Sequence, residues 1–268
     1  MSEHPPARRH AGGVQLTPRD RELLAFAAEH RFVLGDHVGV LLHVRTEAAE
    51  VRLRSLTRAG YLSRGLVYHR QPSLNRITAL GLRAIGSALK PPRLDLHAYE
   101  HDIGVAWLWL AAHRGAFGSL DAVIGERRLR SRDAKRMPGD QPLAVRLGGR
   151  GEAGAERLHY PDLLLIRSDG SRVALELELT AKGRLRTERI LGAYEVDDRI
   201  AAVLYLVTDK RLGRSIAQSA RRLGIAPQVQ VQLVSPLAPT RACANSASRT
   251  RTLEASGSRA RTRVAAQR

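Results

Sequence analysis

The sequence predicts an α/β protein with two units, a small helical unit that contains a β-hairpin and a mixed sheet with flanking helices. Three observations lead to this fold class. Residues 16–89 repeat apolar side chains at helical spacing with one hairpin-like interruption, 90–96 (KPPRLDL) form a proline-containing break, and 97–235 alternate between helix and strand patterns. A chain of 268 residues can bury a core in each unit.

The first unit opens with a clearly delimited helix. In LTPRDRELLAFAAEH, Thr17 is a good N-cap, Pro18 suits the first helical position, and Asp20 completes a capping-box pattern. GDHVGVLLH predicts a second, short helix. The third helix is predicted to begin at Thr46 and to stop at Gly60.

The pattern changes after this third helix. YLSRGLVYHRQPSLNRIT predicts two strands around a polar turn, and TALGLRAIGSAL returns to helical spacing. This order is that of a winged helix-turn-helix, whose third helix enters the major groove of DNA while the hairpin contacts the backbone or the minor groove. The alternative is a solvated basic face on an ordinary helical bundle. The candidate DNA-binding residues are Arg45, Arg52, Arg54, Arg58, Arg64, Arg70 and Arg76.

Composition favours a polyanionic partner. The net charge is +18, and a field of that sign attracts nucleic acid. A membrane is not expected, because the apolar runs are too short to cross a bilayer and no basic amphipathic helix carries bulky aromatic side chains. The only cysteine, Cys243, cannot form a disulfide within one chain, which predicts a reducing, cytoplasmic setting. We expect 1–15 to be a flexible N-terminus and 236–268 a disordered basic tail.

The second unit is predicted to alternate in type. Its first elements are a helix at about 97–114, a strand at LDAVIGERRLR and a Gly-rich, charged connection. Strands then follow at HYPDLLLIRS and SRVALELELT, joined by the turn SDGS. A helix at about 184–198, a strand at AAVLYLVT, a helix at about 211–223 and a strand at QVQVQLV complete a mixed sheet with flanking helices.

Carboxylates interrupt the two strands around SDGS. Acidic residues are depleted in strands, and a buried charge is costly unless it is paired. Two-residue periodicity places Glu176, Glu178 and Thr180 on one face of their strand, joined by Lys182 if the strand continues that far. Antiparallel pairing is expected to bring Asp162 beside Glu178 and Thr180. Several carboxylates and one ammonium group then meet at one end of the sheet.

Such a cluster predicts a Mg²⁺ site. Mg²⁺ prefers a few carboxylates and keeps waters for substrate phosphates, and a nearby lysine can orient or deprotonate an attacking water. This is the chemistry of phosphodiester cleavage. The candidate ligands are Asp162, Glu178 and Glu126, the last placed on the first strand of the unit. His101 and Asp102 are favoured as capping or surface residues.

The order of these elements resembles the PD-(D/E)xK nuclease-like fold. The motif residues are Pro161 and Asp162, Glu176, Glu178 and Lys182. The chain from about 16 to 234 also resembles the replication-relaxation family of plasmid and mobile-element proteins, through VRLRSLTRAGYLSR, ITALG, HDIGVAWLWL, GERRLR, YPDLLLI and ELELTAKGRLRTERILGAY. The resemblance implies catalytic roles for Asp162, Glu176, Glu178 and Lys182, and a role in replication and DNA relaxation.

One departure from the nuclease pattern leaves two functions open. Thr180 stands where the pattern has lysine, and Lys182 either swings into the site or faces solvent. The first function is a metal-dependent DNA endonuclease or nickase. The second is a non-catalytic regulator or replication accessory protein that binds DNA. For either function, a homodimer is one option for the assembly. A relaxase with a nucleophilic tyrosine ranks last, because the closely spaced histidine pair for its metal is missing.

Overall fold

The computed structural model describes residues 15–66, 71–137, 139–151 and 154–235. The protein is a mixed α/β structure with one five-stranded sheet, two two-stranded sheets and flanking helices. Arg70, nearly all of the predicted N-terminal segment and the predicted basic tail at 236–268 lie outside the described residues. Within the described ranges, no helix has both the length and the apolar character needed to cross a membrane.

The first unit contains the elements expected from its sequence, in the expected order. Thr17 and Asp20 form the predicted capping box: the Asp20 backbone N–H donates to the Thr17 hydroxyl at 3.3 Å, and the Thr17 N–H donates to the Asp20 carboxylate at 2.8 Å. The hairpin is antiparallel, with Leu62 opposite Ile77. The elements are α1 (Pro18–Glu29), α2 (Gly35–Leu42), α3 (Thr46–Arg58), β1 (Leu62–Gly65), β2 (Leu74–Ile77) and α4 (Ala79–Ala84).

The second unit is built on the five-stranded sheet, in the order β3-β6-β7-β8-β9. The pairs β3–β6 and β6–β7 are antiparallel, whereas β7–β8 and β8–β9 are parallel. Strands β4 and β5 form a separate antiparallel ribbon. The elements are α5 (Tyr99–His113), β3 (Leu120–Gly125), α6 (Glu126–Asp133), β4 (Val145–Arg150), β5 (Glu156–His159), β6 (Leu163–Arg167), β7 (Arg172–Glu178), α7 (Arg184–Glu195), β8 (Ala202–Val207), α8 (Lys210–Arg222) and β9 (Val229–Leu233).

Helices cover both faces of this sheet. On β6, Leu163 and Leu165 pack in one cluster with Ala112 of α5, whereas Leu164 packs in another with Ile190 of α7 and other residues of α7 and α8. The alternation of buried side chains explains the continuous apolar run of β6, because each face of this strand has its own core.

Helix α5 belongs to both cores. Its residues Ala106 and Leu110 pack with the helices of the first unit, while Ala112 packs against the sheet. Arg127 of α6 adds a polar link, since its guanidinium donates to the backbone oxygen of His30 at 2.8 Å and to that of Ala28. The segment predicted as a linker, 90–96, therefore separates two units that share a helix and polar contacts.

Three expectations for the second unit were wrong. The strand LDAVIGERRLR ends at Gly125, and Glu126 begins α6 instead of continuing the strand. The stretch HYPDLLLIRS is not one strand: it starts with the last residue of β5, His159, and β6 begins only at Leu163, because Pro161 has no N–H for a ladder and the chain passes there from the β4–β5 ribbon to the main sheet. The Gly-rich connection contains β4, with Gly148 and Gly149 at positive φ.

The first unit contains a fully buried histidine, His37. Its Nδ1 accepts the Leu34 N–H at 3.2 Å, and burial lowers its pKa to about 3. Folding therefore favours the neutral ring of His37. The contribution of this ring to the free energy of unfolding is complete above the unfolded pKa of about 6.5, and it is lost progressively as the pH falls toward 3. We expect a loss of about 2–3 kcal/mol in unfolding free energy by about pH 4.5 from this group.

The comparison of wild type with His37→Gln checks this expectation. Glutamine keeps an acceptor for the Leu34 N–H but does not titrate. Urea unfolding between about pH 7 and pH 4.5 should give a flatter pH dependence for the variant, because one proton-linked term has been removed. Parallel pH profiles for the two proteins would contradict the assignment of a buried, neutral His37.

Candidate active site

The acidic residues of β7 lie on one face of the strand, as the two-residue period predicted. Leu175 and Leu177 pack in the cluster that includes α5, whereas Glu176 points to the opposite face and contacts Tyr194 of α7. Glu176 and Glu178 are both buried, with 3% and 6% of their surface exposed. Two carboxylates are thus held away from water, and burial at this depth requires partners.

Asp162 joins them from the start of β6, with a different partner from the one predicted. Leu163 pairs with Leu175, so Asp162 lies level with Glu176 and not beside Glu178 and Thr180. Its Oδ2 accepts the backbone N–H of Leu177 at 2.8 Å. Pro161 lies between β5 and β6, where the chain passes from the β4–β5 ribbon to the main sheet. This passage sets the register in which β6 pairs with β7.

Lys182 reaches the cluster. It follows the end of β7, and its Nζ lies 2.5 Å from Oε2 of Glu178. Its charge also acts on Glu176 and on His101. The solvent-facing alternative for Lys182 is therefore wrong. Burial raises the pKa of Glu178, as do the charges of Glu176 and Asp162, while the bond from Lys182 opposes this rise.

Glu176 has two partners, one on β5 and one on α7. Nε2 of His159, the last residue of β5, lies 2.7 Å from its Oε1, and the hydroxyl of Tyr194 donates to the same oxygen. Burial alone would raise the pKa of Glu176, but the charge and hydrogen bond of His159 and the hydrogen bond of Tyr194 lower it. His159 lies two residues before Pro161, and only the ribbon β4–β5 brings it over the sheet.

His101 of α5 also belongs to the cluster, contrary to the capping or surface role expected for it. Its Nε2 lies 3.1 Å from Oδ2 of Asp162. Burial alone would lower the pKa of His101, but the hydrogen bond and charge of Asp162, together with the charge of Asp102, raise it to about 9. At neutral pH His101 is therefore a second cation beside the carboxylates, after Lys182.

Asp102 and Glu126 form a neighbouring network with Arg31. Arg31 Nη1 lies 3.2 Å from Asp102, and Arg31 Nη2 lies 3.7 Å from Glu126. Glu126 also pairs with Arg130 at 2.7 Å, while its backbone N–H donates to the Asp162 carbonyl. The carboxylate of Glu126 is thus engaged by arginines, and the contacts of the structure do not bring it to Glu178. Its predicted role as a third ligand has no support in this geometry.

The carboxylates of the cluster match the donor set that Mg²⁺ takes. Mg²⁺ is usually bound by one or two carboxylates together with waters and substrate phosphates, and Asp162 with Glu178 is such a pair. The contacts described above engage one oxygen of each carboxylate, Oδ2 of Asp162 and Oε2 of Glu178. Over the described ranges, no group of three or more His, Cys, Asp and Glu side chains is arranged to hold a metal ion. The charge of Asp162 acts on Glu178, so the two carboxylates are neighbours and fit a two-carboxylate site and not a closed cage.

The arginines predicted to bind DNA fall into two groups. Arg52 is ion-paired with Asp20, and Arg64 with Glu50 at 2.6 Å. Arg45, Arg54 and Arg58 are exposed on or beside α3, and Arg76 on β2 is partly exposed.

Arg52 has a structural role that a single substitution can separate from DNA contact. Asp20 is 1% exposed and depends on Arg52 for its charge, so Arg52→Ala leaves a buried carboxylate without its cation. We expect a loss of about 2–4 kcal/mol in unfolding free energy, measured by urea denaturation. Arg54→Ala removes the same charge from an exposed position of the same helix and should cost less than about 0.5 kcal/mol. Equal stabilities of the two variants would contradict this role.

Tyr160 and Tyr194, two phenols that a relaxase could use as its nucleophile, are buried. Tyr194 is 1% exposed, and Tyr160 is 8% exposed under the guanidinium of Arg130. Neither phenol is placed to attack a DNA phosphate. Comparison of the chain with protein-family models, with curated proteins and with solved structures found no significant match.

Proposed function

We propose that this chain is a DNA-binding protein of a plasmid or other mobile element, of the replication-relaxation type, and that its sheet carries a PD-(D/E)xK-like site that nicks or cuts DNA. The observation that carries the proposal is the position of Lys182. Although Thr180 occupies the usual lysine position, the Lys182 ammonium group lies against Glu178. Lys182, two residues further along the chain than Thr180, thus takes the place of the motif lysine beside the carboxylates.

The chemistry assigned to the site follows from these residues. Asp162 and Glu178 would hold Mg²⁺, which when bound supplies charge stabilisation for a phosphate under attack. Lys182 orients the attacking water and adds positive charge near the reacting phosphate. His101, held by Asp162, is a second positive charge at the entrance. Glu176 is tied by His159 and Tyr194 and positions this end of β7.

The first unit supplies DNA binding in this proposal. Its three helices and hairpin have the order of a winged helix, and Val33 bridges Asn75 of β2 with backbone hydrogen bonds of 2.9 and 3.0 Å. Helix α3 is then the recognition helix, and it presents Arg45, Arg54 and Arg58 to the major groove. The net charge of +18 supports binding to the phosphate backbone.

A second candidate is a regulator that binds DNA without cutting it. The observation that favours it is that the carboxylates already have protein partners: Asp162 has His101, Glu176 has His159, and Glu178 has Lys182. A cluster neutralised in this way can serve as a buried structural network. The retained nuclease motif would then be a remnant.

One experiment separates the two candidates. Supercoiled plasmid is incubated with the full chain in Mg²⁺, in Mn²⁺ or in EDTA, while retention of DNA is measured in parallel. Metal-dependent nicking supports the first candidate, and retention without nicking supports the second. The triple variant Arg45→Ala/Arg54→Ala/Arg58→Ala should weaken retention at least about tenfold at moderate salt, because it removes three phosphate or base contacts. Unchanged retention by the triple variant would remove α3 from the proposal.

A further inference from the structure

Helices α7 and α8 carry a cluster of arginines that the winged-helix interpretation does not use. We define the α7–α8 arginine cluster as Arg184, Arg186, Arg189, Arg221 and Arg222, all of which are exposed. Their arrangement follows from the amphipathic pattern of the helices, because Ile190 and Ile216 enter the core and the arginines remain on the outer faces.

One acidic residue organises this cluster. Oε1 of Glu188 accepts from Nε of Arg184 at 3.0 Å and from Nη2 of Arg222 at 2.7 Å, which joins α7 to α8. Within the described residues, the guanidinium groups of Arg186, Arg189 and Arg221 make no hydrogen bond or ion pair. Two of the five guanidinium groups share the Glu188 carboxylate, so the five arginines and Glu188 together carry a local excess of about four positive charges.

The cluster begins beside the candidate active site. Arg184 is two residues after Lys182, so their Cα atoms are at most about 7 Å apart. A carboxylate site repels a polyanion, and arginines close to it offset this repulsion. Arginine also matches the phosphate group with a planar, two-pronged donor.

We propose that the α7–α8 arginine cluster is a second DNA-binding surface, which holds the phosphate backbone of the duplex segment that enters the carboxylate cluster. This inference rests on the proposed function and adds to it a substrate, duplex DNA bound at two separate places. Helix α3 selects where the protein sits, and the arginine cluster contacts phosphates without reading base sequence. An anionic membrane is disfavoured as the partner, since the exposed apolar side chains at this surface are single residues such as Leu185 and none of them is aromatic.

The salt dependence of DNA binding tests the inference. The affinity of the full chain for a random-sequence duplex of about 30 base pairs is measured at several KCl concentrations, for wild type and for Arg186→Ala/Arg189→Ala/Arg221→Ala. Each lost phosphate contact lowers the slope of log K against log [salt] by about 0.9, so the triple variant should lose about 2.7. Between 50 and 200 mM salt, wild type should then lose about 40-fold more affinity than the variant.

Two further variants keep the result interpretable. Arg93→Ala/Lys135→Ala/Arg167→Ala removes the same charge from exposed positions outside α7 and α8. This control variant should change the slope by at most one third of the change expected for the cluster variant. Arg186→Lys/Arg189→Lys/Arg221→Lys keeps the charge and should retain most of the slope. Circular dichroism confirms that each variant is folded.

Failure of this inference and failure of the proposed function give different results in this experiment. If wild type binds DNA and both alanine variants change the slope equally, the arginine cluster is not a DNA surface, while the nuclease proposal stands. If the cluster variant loses binding to vesicles of phosphatidylserine and keeps its slope on DNA, the partner is a membrane and the inference is overturned. If wild type does not bind DNA at all, the proposed function fails first.

Discussion

Lys182→Met should lower the rate of metal-dependent nicking about 100- to 1,000-fold. The Lys182 ammonium group lies at Glu178, and in the proposed reaction it stabilises charge that develops on the attacked phosphate. Removal of one such preorganised group typically costs this factor. The measurement is the initial rate at which supercoiled plasmid becomes nicked, under conditions where the protein is saturated with DNA.

Two controls separate chemistry from stability in this experiment. Lys182→Arg keeps a positive charge and should recover part of the rate, whereas Lys135→Met removes an exposed lysine from another part of the chain and should have no effect. Glu178 loses its cation in Lys182→Met, so a thermal unfolding curve is needed for each protein. Equal nicking by wild type and folded Lys182→Met would exclude Lys182 from the reaction.

Asp162→Asn should have an effect of similar size for a different reason. The carboxylate is replaced by a neutral amide of the same shape, which can still accept the Leu177 N–H but is a poorer ligand for Mg²⁺. A metal supplies several kcal/mol to such reactions, so the nicking rate should fall about 100- to 1,000-fold, and a higher metal concentration should restore part of it. The rate is followed as a function of Mg²⁺ concentration.

Asp169→Asn is the matched control for this substitution. Asp169 lies in the turn between β6 and β7, at the end of this hairpin opposite to Asp162, and is exposed. The control variant should nick DNA at the wild-type rate with the wild-type metal dependence. A loss of rate in Asp162→Asn that is accompanied by an equal loss of DNA retention would assign Asp162 to binding and not to catalysis.

Local sequence patterns predicted most of the elements. The capping box at Thr17 marked the start of α1, and the alternation of Glu176 and Glu178 with leucines marked both faces of β7. These predictions succeeded because each depends on contacts between residues close in sequence, or on a periodicity that burial imposes.

The failures share a physical cause, which is that the deciding partner is distant in sequence. Gly125 ends β3 and Glu126 starts α6, yet GERRLR buries only Leu129 on that helix and shows little helical pattern. His159 reaches Glu176 only because β4 and β5 form a ribbon that leaves the main sheet at Pro161. Tyr194 had a weak signal, since it lies four residues after Ile190 on the buried face of α7.

The position of Lys182 also could not be predicted from the sequence. Spacing alone left Thr180 in the lysine position and gave Lys182 two orientations. The chain between β7 and α7 turns so that the Lys182 ammonium group meets Glu178. The arginines of α3 could be proposed from their spacing, whereas the pairing of Arg52 with Asp20 required the packing of α1 against the rest of the unit.

The measurement that tests the central claim most directly is nicking of supercoiled plasmid by wild type, Asp162→Ala and Glu178→Ala, with DNA retention measured on the same samples. The account predicts nicking by wild type that requires Mg²⁺ or Mn²⁺, with nicking absent from both variants while DNA retention persists. Retention without metal-dependent nicking by wild type, on a plasmid that carries its own locus, would contradict the account and leave a DNA-binding protein whose carboxylate cluster is structural.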